Sequence, residues 1–178
     1  MRGLVHTTQR DNVFRISADA ELVSQFDEQF AAYLLVPKIP VVRSWSEHRD
    51  LVRRLVRDMT DSYAIDQRRI YLTGFSDGGF GTIDMLEQFP GVFAAGVPIS
   101  GGGNVGSTDI HALTSVPLWF FHGSDDFTVA PRSSIDLFEA TVAAGGDARF
   151  HLCACEGDRC RWDPRKDHDD IDADADAG

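Results

Sequence analysis

Apolar residues in this chain fall into short runs separated by stretches of helical spacing. Ile70-Tyr71-Leu72-Thr73-Gly74-Phe75 is bounded by Arg69 before it and glycine-rich sequence after it. It predicts a strand buried on both faces, as in a parallel sheet. Tyr33-Leu34-Leu35-Val36 closes at Pro37 and predicts another. Phe93 to Ser100, Val116 to Phe121 and Arg149 to Cys155 predict three more, and Leu4-Val5-His6-Thr7 reads as the end of a further strand.

Between these runs the period changes. Ala18 to Phe30 places Leu22, Val23, Phe26 and Phe30 at helical spacing. Ser44-Trp45-Ser46-Glu47 has the form of a capping box that opens a helix with Leu51, Val52, Leu55, Val56 and Met59 on one face. Thr82 to Gln88 continues helically, residues 104–115 read as a loop, and Arg132 to Ala144 is amphipathic and stops at Gly145-Gly146. Strands alternating with helices predict an α/β fold, a three-layer sandwich with a mostly parallel sheet. In such sheets the site lies just beyond the carboxyl ends of the strands.

Composition narrows this picture. A chain of 178 residues, 43% apolar, suits one domain with a real core. The expected organisation is an irregular segment over 1–31, a domain over 32–164 and an acidic tail over 165–178. No apolar run approaches the ~18 residues of a membrane span, and the start lacks the apolar core of a signal peptide. No membrane partner and a cytoplasmic location are therefore expected. The net charge of −11 argues against a nucleic-acid partner, because no basic face is available to neutralise phosphates. Residues 167–178 hold six aspartates and predict a solvated, disordered tail. They lack the glycine and the terminal glutamate that an EF-hand calcium loop would need.

The candidate chemistry centres on Gly74-Phe75-Ser76-Asp77-Gly78. This is G-x-S-x-G between an apolar strand and a helix, the context in which a sharp turn presents a serine nucleophile. Gly74 and Gly78 remove side chains that would clash in such a turn. The turn also sets the amide of Asp77 at the positive end of the following helix, where an oxyanion would form. The competing reading of the same residues is an ordinary glycine-rich turn.

Further along come Pro90-Gly91-Val92-Phe93-Ala94-Ala95-Gly96-Val97-Pro98-Ile99-Ser100-Gly101-Gly102 and Pro117-Leu118-Trp119-Phe120-Phe121-His122-Gly123-Ser124-Asp125-Asp126-Phe127-Thr128-Val129, then a helix ending Ala143-Ala144-Gly145-Gly146-Asp147. With the turn around Ser76, these pieces make residues 32–162 resemble the α/β-hydrolase superfamily. The similarity is to esterases grouped with phospholipase/carboxylesterase, polyhydroxybutyrate-depolymerase-like and prolyl-oligopeptidase-like hydrolases. The resemblance implies a triad in the chain order Ser…Asp…His, with Ser76 as nucleophile and Asp126, in His-Gly-x-x-Asp, as the acid. Asp125 is the second choice, and His122 is implied to hold the acid's loop. A small-molecule ester is the implied substrate, with no cofactor. The oligomeric state is left open.

Two departures from the family pattern stand out. The histidine is due after the last strand, where this chain reads Glu156-Gly157-Asp158-Arg159-Cys160-Arg161-Trp162. Arg159 or Cys160 occupies its place, depending on the direction of counting, and neither accepts a proton at neutral pH as imidazole does. His168, in the acidic tail, is the only later histidine and the remaining candidate base. The loop that supplies the second oxyanion amide is echoed only faintly by His6-Thr7-Thr8, which leaves Thr7 as the candidate. With five residues before His6, the chain has the look of a shortened hydrolase.

Cys153, Cys155 and Cys160 are odd in number and crowded together, which argues against a secreted disulfide framework. His151, Cys153 and Cys155 alternate on one strand face, with Cys160 close in sequence, a conceivable zinc set. The same alternation is what a half-buried strand shows, so no metal is expected. The leading function is therefore a serine carboxylic-ester hydrolase of impaired activity, and the alternative is a non-catalytic remnant of that fold that binds a partner.

Overall fold

The computed structural model describes residues 2–7, 32–37, 44–156 and 159–161. Seven strands form one sheet in the order β2-β1-β3-β4-β5-β6-β7. They are β1 (Arg2–Thr7), β2 (Ala32–Leu35), β3 (Ile70–Phe75), β4 (Ala95–Ile99), β5 (Leu118–Gly123), β6 (Ala148–Glu156) and β7 (Arg159–Arg161). The first six are mutually parallel, and β7 returns antiparallel to β6. The α/β fold with a mostly parallel sheet is as expected. The sheet also takes in residues 2–7, which precede the expected 32–164 domain.

Four helices are described: α1 (Arg49–Ser62), α2 (Asp77–Gln88), α3 (Ile110–Leu113) and α4 (Arg132–Ala143). The strand pairing puts Ile70, Leu72, Gly96, Leu118, Phe120 and Phe150 on one face of the sheet. The helices pack there. A Cβ on Gly96 would lie 2.4 Å from Leu86 of α2, and Phe138 of α4 meets Phe120 and Phe150 at centroid distances of 6.3 and 5.6 Å. Val52 and Val56 of α1 join the same core. The helix expected over 18–30 lies outside the described residues, as does the acidic tail.

Several local expectations need correction. β3 is not buried on both faces: Leu72 is fully buried, whereas Phe75, on the face away from the helices, is 39% exposed. Ser44 does not cap α1. It precedes a 3₁₀ turn over Trp45–Glu47, and its hydroxyl spends itself on the Ser46 hydroxyl and the Glu47 carboxylate rather than on a backbone amide. α1 starts at Arg49, which turns Leu51 outward (44% exposed) and leaves Val52 and Val56 to carry the packing. The expected loop over 104–115 contains α3, which Asp109 starts by accepting a hydrogen bond from the Ala112 amide at 3.2 Å. The last strand does not end the sheet at Cys155. It runs on to Glu156, and β7 pairs back against it.

The end of α4 behaves as its sequence predicts. Gly145 adopts φ +87°, and the amides of Gly145 and Gly146 donate to the carbonyls of Val142 and Thr141, both at 2.9 Å.

Candidate functional site

The order of the strands locates the site. From β1 the chain moves outward to β2, then crosses back to β3 and continues β4, β5, β6 in the other direction. β1 and β3 are therefore neighbours whose connections leave in opposite directions, and the crevice beyond their carboxyl ends is where open α/β sheets bind ligands. Thr7 ends β1 opposite Gly74 of β3, and Ser76 follows two residues later.

Ser76 occupies the tight turn between β3 and α2 with φ 55° and ψ −118°, a conformation that costs a side-chain-bearing residue of order 1–3 kcal/mol. The surroundings hold it there. Its amide donates to the Ile99 carbonyl at 2.9 Å, and its carbonyl accepts from the amides of Gly79 (2.7 Å) and Phe80 (3.1 Å). The closest backbone approach falls just beyond the motif: a Cβ on Gly79 would lie 2.8 Å from the Gly101 Cα, and one on Gly101 would lie 2.5 Å from the Gly79 carbonyl carbon. Behind the turn, α2 is clamped by Trp45, whose ring sits 2.6 Å from where a Gly81 Cβ would be. Arg49 adds an ion pair to Asp84 at 2.9 Å. Burial pushes the Asp84 carboxyl above its ordinary value, and Arg49 opposes that rise.

Ser76 is mostly buried, and among the described residues its hydroxyl has no hydrogen-bond partner. Asp77 opens α2, which sets its amide at the positive end of that helix.

Asp126 lies two strands away at the same end of the sheet, in the loop after β5. One carboxylate oxygen accepts from the amides of Thr128 and Val129, both at 2.9 Å, and the other lies 3.5 Å from Nε2 of the buried His122. That ring nitrogen donates to the Val129 carbonyl at 2.9 Å, so the histidine and the carboxylate grip the same loop from two sides. His122 Nδ1 lies 2.8 Å from the Ser134 hydroxyl, which donates to the Gly101 carbonyl at 2.9 Å. The loop of Asp126 is thereby tied to the glycine that packs against the helix of Ser76. Asp125, by contrast, is exposed, and among the described residues its carboxylate accepts a hydrogen bond only from the Ser124 hydroxyl, at 3.1 Å. Phe127 is 98% exposed at the same rim.

The structure thus brings Thr7, Ser76, Asp77 and Asp126 to one end of the sheet. His168 lies outside the described residues. Arg159 pairs with Glu156 in the β6–β7 ladder, and Cys160 stands opposite Cys155. Among the described residues no group of three or more histidines, cysteines and carboxylates is placed to hold a metal, and no helix is long and apolar enough to cross a membrane. A cavity of about 410 Å³ between α1 and the amino end of β3, lined by Arg53, Arg57 and Ile70, lies at the opposite end from Ser76. Ser134, Gly79 and Trp45 are structural supports that the sequence did not single out.

Comparison with known proteins agrees with this architecture. The model superposes on a thermostable esterase with a TM-score of 0.75 and 27% identity, over 92% of this chain and 49% of that one. It superposes on SOBER1 of Arabidopsis thaliana with a TM-score of 0.68 and 18% identity, over 90% and 91% of the two chains. This chain has the α/β-hydrolase fold. Its sequence is also similar to poly(3-hydroxyalkanoate) depolymerase C of Paucimonas lemoignei, at 27% identity over 49% of this chain and 28% of that protein. The bifunctional acetylxylan esterase/xylanase XynS20E of Neocallimastix patriciarum matches at 36% identity over 42% of this chain and 11% of the other. The chain therefore spans about half of the thermostable esterase and less than a third of either curated relative. No family model matches it.

Proposed function

We propose that this α/β-hydrolase chain is a serine carboxylic-ester hydrolase of low activity, with Ser76 as nucleophile. The observation that carries the reading is the backbone of Ser76, strained at φ 55° in a strand-to-helix turn at the sheet's switch point. Proteins with esterase in their names share the fold and part of the sequence.

In this reading the Ser76 hydroxyl attacks the acyl carbonyl of a small ester, and the alcohol leaves when the tetrahedral intermediate collapses. Water then releases the acid from the acyl-enzyme. The Asp77 amide, with the backbone of Thr7 across β1, stabilises the oxyanion. Asp126 is the acid, because its loop is fixed by two amides and His122, whereas Asp125 is on the rim. The weak part is the base. His122 is turned into the fold toward Val129 and Ser134, and Arg159 stays protonated at neutral pH. His168 is the one candidate left to accept the serine proton.

A fluorophosphonate, which phosphonylates activated serines with loss of fluoride, tests the nucleophile. After overnight incubation, peptide mapping is expected to place a single adduct on Ser76, absent from Ser76→Ala. An adduct on another serine, or none, would overturn the assignment. Loss of labelling in His168→Ala would identify the base.

A second reading is favoured by one observation, the presence of Arg159 where the family places histidine. Under it the chain is a non-catalytic relative that binds a partner through the same rim.

A further inference from the structure

β6 outruns the strand beside it. β5 ends at Gly123, opposite Cys153, and the Ser124 amide donates to the Cys153 carbonyl at 2.9 Å. From Ala154 onward β6 pairs only with β7, as a hairpin that rises past the carboxyl edge of the sheet beside the loop of Asp126. Its ladder sets Ala154 opposite Arg161, Cys155 opposite Cys160 and Glu156 opposite Arg159.

Directly opposed residues of an antiparallel pair share a face and have Cα atoms about 4.5–5.5 Å apart, whichever kind of pair they form. That lies inside the window of about 4.4–6.8 Å that a disulfide spans. The other two pairings among the three cysteines fit worse. Cys153 is diagonal to Cys160, at about 7–8 Å, beyond what a disulfide bridges without backbone movement. Cys153 and Cys155 are two residues apart on one extended strand, at about 6.6–6.8 Å, the extreme of the window.

We propose that Cys155 and Cys160 form a cross-strand disulfide that staples the β6–β7 hairpin and opens and closes with the thiol–disulfide balance of the surroundings. A low-molecular-weight disulfide such as oxidised glutathione is the oxidant. One cysteine thiolate attacks it, releasing one small thiol and leaving a mixed disulfide. The second cysteine displaces the other small thiol, so one S–S bond breaks, one forms, and the two protons end on the released thiols. The staple fixes the segment that holds Arg159, next to the acid's loop. The proposal rests on the strand register and is independent of the ester-hydrolase reading.

Trypsin offers a direct test, because Arg159 separates the two cysteines. Cleavage gives Phe150 to Arg159, with Cys153 and Cys155, and the dipeptide Cys160-Arg161. After equilibration of the folded protein with oxidised glutathione, the three thiols are expected to fall to one and the mass by two hydrogens. The two peptides should stay joined until reduced. Cys153→Ser should keep the link and Cys155→Ser should lose it. The proposal is overturned if three thiols persist, if the bond joins two chains, or if the link survives Cys155→Ser and vanishes with Cys153→Ser. Circular dichroism of each variant shows that a lost link is not a lost fold.

Discussion

The two sides of the site are built differently. On the β3 side, Ser76 is held by backbone: hydrogen bonds to Ile99, Gly79 and Phe80, and a glycine-on-glycine contact between Gly79 and Gly101. On the β6 side, where the proposed hydrolase reading calls for a base, the chain forms a hairpin that carries Arg159 and Cys160. Backbone geometry at Ser76 depends on glycines and on strand order, contacts that lie outside its own side chain. A general base depends on one imidazole within hydrogen-bond reach, so a single altered position removes it. Fold and function separate along that line.

The sharpest way to break the well-built side is Gly101→Ala. The new Cβ would meet backbone, not a flexible side-chain end, at 2.5–2.8 Å, and the expected loss is about 3 kcal/mol. Gly91→Ala is the control. Gly91 also has an unfavourable φ (+82°), but nothing lies within 4 Å of its Cβ position, so about 1 kcal/mol is expected. Denaturant midpoints for the two should differ clearly, and equal losses would mean that the glycine contact does not hold the turn.

Asp126→Ala comes next. It strips the acceptor from the Thr128 and Val129 amides and should cost about 1–2 kcal/mol, whereas Asp126→Asn retains an oxygen in place and should cost less than half of that. If Asn costs as much as Ala, the loop is held by charge and not by the amide hydrogen bonds.

Ser76 itself gives a smaller effect of telling sign. Ser76→Gly relieves the φ 55° strain that Ser76→Ala keeps, so the glycine variant should be the more stable by about 0.5–1 kcal/mol despite its greater unfolded-state entropy. Equal midpoints would remove the claim of stored strain.

The strand-to-helix turn, the six parallel strands and the placement of Ser76 and Asp126 were legible in the sequence because each follows from a local pattern: an apolar run, a glycine and a charge at the right end. What was not legible depends on contacts distant in sequence. Nothing around Ser134 suggests that it joins His122 to the Gly101 carbonyl. The rotation of Leu51 outward follows from α1 starting at Arg49, after a 3₁₀ turn that captures the would-be cap. The opposition of Cys155 and Cys160 requires the antiparallel return of β7, which the alternating pattern of β6 alone does not reveal.

A subtler effect concerns the support behind Ser76. The Asp84 carboxyl titrates above its ordinary 3.8 in the folded chain because burial disfavours its charge. Its contribution is therefore full below that value and is lost as pH rises through the folded pKa. Relative to Asp84→Asn, the wild type should lose stability on going from about pH 4 to pH 7. With the side chain partly exposed and Arg49 opposing, the change should be a few tenths of a kcal/mol, about the limit of paired denaturation curves. A shift in the opposite direction would mean that Arg49 outweighs burial.

The most direct measurement of the central claim is turnover of a short p-nitrophenyl ester by the wild type and Ser76→Ala. With Ser76 strained in its turn and no base placed among the described residues, the rate should lie far below the ordinary enzymatic range of about 1 s⁻¹, and Ser76→Ala should remove what turnover exceeds the uncatalysed rate. Turnover at about 1 s⁻¹ or faster that disappears in Ser76→Ala would contradict the account, and would mean that a base completes the site.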